Sequence, residues 1–198
     1  MFTFHNRPYK KNDSHNSEDA PFEIPNSWEW ATVEDLNCFT SITENPLLKE
    51  NKNTTYELYS VPSFENHYPE IVTGEDIGST KVLVEKNDVL ISKINPRLNR
   101  VWIVQQFTPN KMIASSEWII IRNRFISQRY LMFALQSGYF LDKMLSNVSG
   151  VGGSLTRAQP SAVRKYFIPS PPLAEQKRIA SKIESLFSVL DAMEKESD

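Results

Sequence analysis

A single cysteine, Cys38, stands among 198 residues, so no intrachain disulfide can brace the fold. Three histidines, His5, His15 and His67, keep no metal-ligand spacing to one another or to that cysteine, which argues against a structural zinc. No stretch approaches the roughly 20 apolar residues of a membrane-spanning helix. The opening MFTFHNRPYKKNDSHNSEDA lacks the continuous apolar run of a secretory signal. These absences read as a soluble, cytoplasmic chain with no membrane partner and no bound metal. Glycine is sparse as well, and three of its six occurrences fall at 150, 152 and 153, which concentrates backbone freedom in one place.

What remains is enough for one core. Hydrophobic residues make up 40% of the chain and aromatics 11%, sufficient for one substantial domain with an appendage. The net charge of −2 conceals a segregation: residues 1–80 carry 5 Lys/Arg against 14 Asp/Glu, residues 81–168 carry 13 against 4, and residues 169–198 carry 4 against 6. A basic middle segment suits a phosphate-facing surface; the alternative is a solvated face neutralised by the acidic first third.

Residues 1–20 are polar and without periodicity, which predicts a flexible leader or linker. In PFEIPNSWEWATVEDL (21–36) two prolines bracket an extended piece, and Trp28 and Trp30 share one strand face at period two. Residues 49–74 mix aromatics with turn formers and predict short strands and structured loops. KVLVEKNDVLISKI (81–94) predicts two strands around a Lys86-Asn87-Asp88 turn, VWIV (101–104) another, and SEWIIIR (116–122) a buried one. SQRYLMFALQS (127–137) predicts a helix with Ser127 as N-cap and Gly138 as its stop, with further helical turns through Leu145. The expected class is α+β: a β-rich domain with packed helices over 21–170, then a coiled-coil-type helix over 171–198.

Two segments carry candidate binding chemistry. SKINPRLNR (92–100) interleaves Lys93, Arg97 and Arg100 with Asn95 and Asn99, side chains that suit the edges of guanine and adenine, on a tip stiffened by Pro96. A basic solvated hairpin fits the same residues. NVSGVGGSLTRAQPSAV (147–163) offers Ser154, Thr156 and Arg157 on a glycine-rich loop that suits a phosphate backbone, or a mobile surface loop. This loop fits neither the phosphate-loop nor the dinucleotide-binding pattern. Asn95-Pro96 departs from the Asn-Pro-Pro-aromatic loop of amino-methyltransferases, since Arg97 and Leu98 follow it. No nucleophile elbow, histidine-paired nucleophile or nuclease carboxylate–lysine triplet stands out, so no catalytic residue is assigned.

The terminal stretch PPLAEQKRIASKIESLFSVLDAME (171–194) opens on prolines tolerated in a first helical turn. Ile179, Ile183, Leu186, Leu190 and Met193 then step by alternating fours and threes, a heptad seam with Lys177, Arg178, Lys182, Glu184 and Glu194 on its flanks. So short a seam is marginal alone and must pack on its own domain, another helix or another molecule.

PPLAEQKRI (171–179) resembles the junction between a target recognition domain and the following conserved helix in specificity subunits of type I restriction-modification systems. PFEIPNSWEW (21–30), DVLISKINPRLNRVW (88–102) and GSLTRAQPSAV (153–163) resemble, in order, the opening and inner segments of such a domain. The resemblance covers about residues 21–196 and implies one half of a full subunit. It implies a non-catalytic protein that reads one half of a bipartite site on double-stranded DNA. Its partners would be methyltransferase subunits, which bind S-adenosylmethionine while this chain binds no cofactor, and a motor and nuclease subunit. The terminal helix would pair with a second specificity half or a second copy. By position, Arg97 or Arg100 would meet base edges, and Lys93 and Arg157 phosphates. A protein-interaction adaptor built on the helix is the competing class, and a self-contained nuclease or methyltransferase a further one.

Overall fold

In the computed structural model, which describes residues 21–149 and 156–195, the apolar run at 89–91 and the serine that follows it are buried on both faces. The elements, in chain order, begin with β1 (Glu29–Thr32), α1 (Val33–Leu36), β2 (Thr43–Glu44), β3 (Thr55–Tyr59), β4 (Glu70–Thr73), β5 (Lys81–Leu83) and β6 (Val89–Ser92). They continue with β7 (Val101–Ile103), β8 (Lys111–Ala114), β9 (Trp118–Ile121), α2 (Gln128–Gln136), α3 (Gly138–Ser146) and β10 (Val148–Ser149). β11 (Arg157–Ala158), α4 (Pro160–Val163), β12 (Phe167–Ser170) and α5 (Leu173–Lys195) complete the chain.

The three-stranded sheet β7-β6-β9 is the middle layer. Strand side chains alternate between faces. Val89, Ile91, Val101 and Ile121 therefore pack with Leu131 and Leu135 of α2 and Phe140 of α3, while Leu90, Trp102 and Ile120 pack with Tyr59, Ala114 and Trp118. The second group joins the middle layer to the five-stranded sheet β2-β5-β8-β3-β4, in which β3 and β8 run parallel and the other pairs antiparallel. The result is the expected α+β arrangement, helices on one side of the central strands and a second sheet on the other.

Several local expectations are altered. The turn at 86–88 does not close a hairpin, because β5 and β6 belong to different sheets. Asp88 makes the switch: buried, it accepts from Glu85 N at 2.8 Å and holds Arg122 through Nε at 2.7 Å and Nη2 at 2.8 Å. That hydrogen-bonded pairing raises the Arg122 pKa. Gly138 does not stop α2. Ser137, in extended backbone, ends that helix and caps the next, its Oγ accepting from Phe140 N. Ser127 precedes α2 but its side chain makes no capping bond. A further buried carboxylate, Glu57 on β3, accepts from the backbone amides of Phe107 and Thr108 and organises the loop after β7.

Helix α5 is tied to the domain by its first turns. Gln176, 2% exposed, accepts from Ser127 N and donates to Pro171 O, each at 2.8 Å. Trp28 Nε1 donates to Glu175 Oε2 at 3.2 Å, and Tyr130 Oη donates to Pro169 O at 2.7 Å. Farther along, Arg129 pairs with Glu184 at 3.4 Å and Phe133 meets Phe187, so α2 and α5 run in the same direction.

Gly74, just after β4, lies where two loops close on the backbone: a Cβ there would sit 2.3 Å from the Asn51 carbonyl oxygen and 2.9 Å from that of Pro46. Gly74→Ala should therefore lower unfolding free energy by about 2 kcal/mol, as overpacking against backbone does. Urea denaturation reads this directly, and an unchanged midpoint would mean the loops separate without cost.

Candidate nucleic-acid interface

The two segments singled out in the sequence are joined in the structure. Lys93 N donates to Glu117 O at 3.1 Å, Lys93 O accepts from Ala158 N at 2.8 Å, and Asn95 N donates to Thr156 O at 2.8 Å. Ile94 bridges Arg157 in antiparallel fashion, and β11 pairs in turn with β10. Residues 93–95 thus form the central strip of a small ladder, with Glu117 on one side and 156–158 on the other. Ser154 lies outside the described residues.

The tip beyond this strip is a single 3-10 turn, Pro96–Leu98, flanked by Asn95 and Asn99, both left-handed at φ 46°. Asparagine tolerates that backbone better than most residues because its short side chain bonds locally. Here the amides are occupied. Asn95 Oδ1 accepts from Thr156 N at 3.3 Å, and Asn99 Nδ2 donates to Gln136 O, at the end of α2, at 2.8 Å. Both asparagines hold the tip in place.

The cations divide in the same way. Arg100 Nε lies 3.0 Å from Glu65 Oε1 with its side chain only 16% exposed. Arg157 Nη2 lies 3.0 Å from Glu117 Oε1 and its side chain stays about half exposed. Arg97 is exposed at the tip and Lys93 half-buried at its base, neither in an ion pair among the described residues. Lys93, Arg97, Thr156 and Arg157 are therefore brought together on one ladder and its tip, whereas Arg100, Asn95 and Asn99 are engaged in holding it. Glu65 and Glu117 are acidic neighbours of these cations that sequence reasoning passed over; nothing in their local sequence marks them as partners of distant arginines.

The seam residues also divide. Ile179 packs against the core and Ile183 is half-buried, but Leu186, Leu190 and Met193 are 52%, 53% and 59% exposed. Phe187 and Val189 widen this apolar face. No helix among the described residues is long and apolar enough to cross a membrane.

A family model, the type I restriction modification DNA specificity domain, matches residues 25–198, and the chain belongs to that family. The specificity subunit of the type I restriction enzyme EcoAI of Escherichia coli is 27% identical over 191 residues, covering 91% of this chain and 31% of that subunit. The EcoEI specificity subunit of the same species is 25% identical over 190 residues, covering 89% and 32%. The chain spans about a third of the length of these curated relatives. A crystal structure of the HsdS subunit from Thermoanaerobacter tengcongensis shares the fold at a TM-score of 0.75 and 21% identity, over 88% of this chain and 46% of that one.

The double role of Asn99 is separable. Asn99→Ala loses both the bond to Gln136 and the tolerated left-handed backbone and should destabilise by about 2 kcal/mol, whereas Asn99→Gly keeps the backbone and should lose only about 1 kcal/mol. Equal melting shifts for the two variants would show that the backbone conformation carries no cost.

Proposed function

We propose that this chain is a DNA-sequence-specificity module of a type I restriction-modification complex, reading one half of a bipartite duplex target without catalysing a reaction itself. The observation that carries the reading is the ladder at 93–95 and 156–158, which carries Lys93 and Arg157 on one scaffold with Arg97 on the tip that extends from it. Phosphate contacts position such a module and base-edge contacts specify its sequence. Arg97, exposed on a short turn and in no ion pair among the described residues, is suited to a guanine edge; Lys93 is suited to a phosphate. S-adenosylmethionine and methyl transfer belong to partner methyltransferase subunits, and cleavage to a motor and nuclease subunit. The exposed half of α5 pairs with a second specificity half or a second copy of this chain. A helix-based adaptor would not require DNA, so salt-sensitive duplex binding separates the two readings.

Methylome sequencing of cells with and without the chain, beside its methyltransferase partner, should reveal a bipartite motif that depends on the chain. In that assembly Arg97→Ala should weaken target binding by roughly 1 to 3 kcal/mol, as loss of a bidentate base contact does. Unchanged affinity and motif would remove the tip from the site.

Leu186→Asp with Leu190→Asp should lower the sedimentation coefficient of the assembly while leaving the melting of the isolated chain nearly unchanged, because both side chains are already more than half exposed. An unaltered assembly state would show that this face is not the pairing surface.

A further inference from the structure

A carboxylate stands inside this cationic patch. Glu117 lies between β8 and β9, its backbone fixed by Lys93 N on its carbonyl and by Ser115 Oγ on its amide. Its side chain, 25% exposed, reaches across the strip at 93–95 so that Oε1 meets Arg157 Nη2 at 3.0 Å. The other oxygen, Oε2, is buried with no hydrogen-bond partner among the described residues. An unsatisfied charged oxygen is costly, and such a group in a native fold calls for a reason. A negative charge beside a phosphate-facing patch also weakens attraction to any polyanion. The first is a cost to the fold and the second opposes mere adhesion to DNA, so the acid is not there to raise affinity.

We propose that Glu117 is a specificity-determining positioning residue that keeps Arg157 from serving as a phosphate contact and fixes its guanidinium for a base edge. The inference rests on the DNA-reading role and deepens it. Nonspecific affinity comes almost wholly from cations that displace counterions from phosphates. An arginine already paired with a carboxylate contributes little to that release, yet the pairing fixes the plane of its fork, and fork geometry is what distinguishes one base edge from another. On this account Lys93 supplies backbone attraction while the Glu117–Arg157 pair supplies discrimination.

The test uses the full chain, a random-sequence duplex across a salt series, and the target duplex defined by methylome mapping. Glu117→Gln preserves shape and removes the charge. It should bind the random duplex more tightly and steepen the salt dependence by about 0.9 in log–log slope, one added phosphate contact. Target-over-random discrimination should fall roughly fivefold or more, the loss expected when a base-reading fork is disordered. In an Arg157→Gln background the same substitution should leave the slope unaltered. A purely structural role would move the melting temperature and not the slope. An unchanged slope in folded E117Q, or an equal change with and without Arg157, overturns the proposal.

If E117Q does not fold, R157Q alone decides. It should lose discrimination with the random-duplex slope intact, and a slope shallower by about 0.9 would make Arg157 a phosphate contact and overturn the assignment. A wild-type chain without salt-dependent duplex binding removes the DNA-reading role and this inference together. Wild-type binding combined with an overturning variant removes only the inference.

Discussion

The side-chain amide of Gln176 fixes where the terminal helix leaves the domain. Buried at 2% exposure, it accepts from the backbone that begins α2 and donates to the carbonyl of Pro171. Losing either bond would leave a buried polar group unsatisfied, at a cost of about 1 to 3 kcal/mol. Around it Glu175 takes the Trp28 indole and Tyr130 takes the carbonyl of Pro169. The Pro-Pro-Leu-Ala-Glu-Gln stretch is thus a joint as much as a helix start. The prolines fix the approach, and the next two polar residues bolt the first turn to the residues that lead into β1 and α2. The remainder of α5 inherits its direction from these few bonds.

Charge that is segregated along the sequence is partly paired in space. Of the thirteen basic residues in 81–168, Arg100 and Lys111 pair with Glu65 and Glu44 of the acidic first third. Arg122, Arg129 and Arg157 pair with Glu85 and Asp88, Glu184 and Glu117. A surface ion pair contributes little to stability, with a median near 0 to 1 kcal/mol. Its effect here is on availability: an arginine already partnered offers less charge to a phosphate backbone. Folding therefore chooses which cations remain to attract a polyanion, and a sum over the sequence overstates their number.

The strands at 81–83, 89–92, 101–103 and 118–121 were legible because a short β-branched run has few other uses. Their assignment to two sheets was not, since it depends on which distant strand each one joins, β5 pairing with β8 and β6 with β9. The proximity of the two candidate segments could only be guessed from their composition. Asn95 and Asn99 were read as base-reading amides, but asparagine on either side of a proline-led turn is also a turn former. The left-handed backbone at both positions realises that second use. Glu117 escaped notice for a related reason, because an acidic residue between strands carries no local mark of the arginine forty positions later that it holds.

The shared direction of α2 and α5 relates the terminal helix to the tip at 96–98. α2 starts where Gln176 meets Ser127 and ends where the Gln136 carbonyl receives Asn99, so its far end abuts the hairpin tip. α5 follows it past Phe133 and Phe187 and then continues to Lys195, about 12 Å beyond that contact at 1.5 Å per residue. The apolar face at Leu186, Leu190 and Met193 consequently emerges on the side toward which the tip residues lie. A helix seated on that face would be referenced to Arg97 through only two rigid links, the α2–α5 contact and the Asn99 bond.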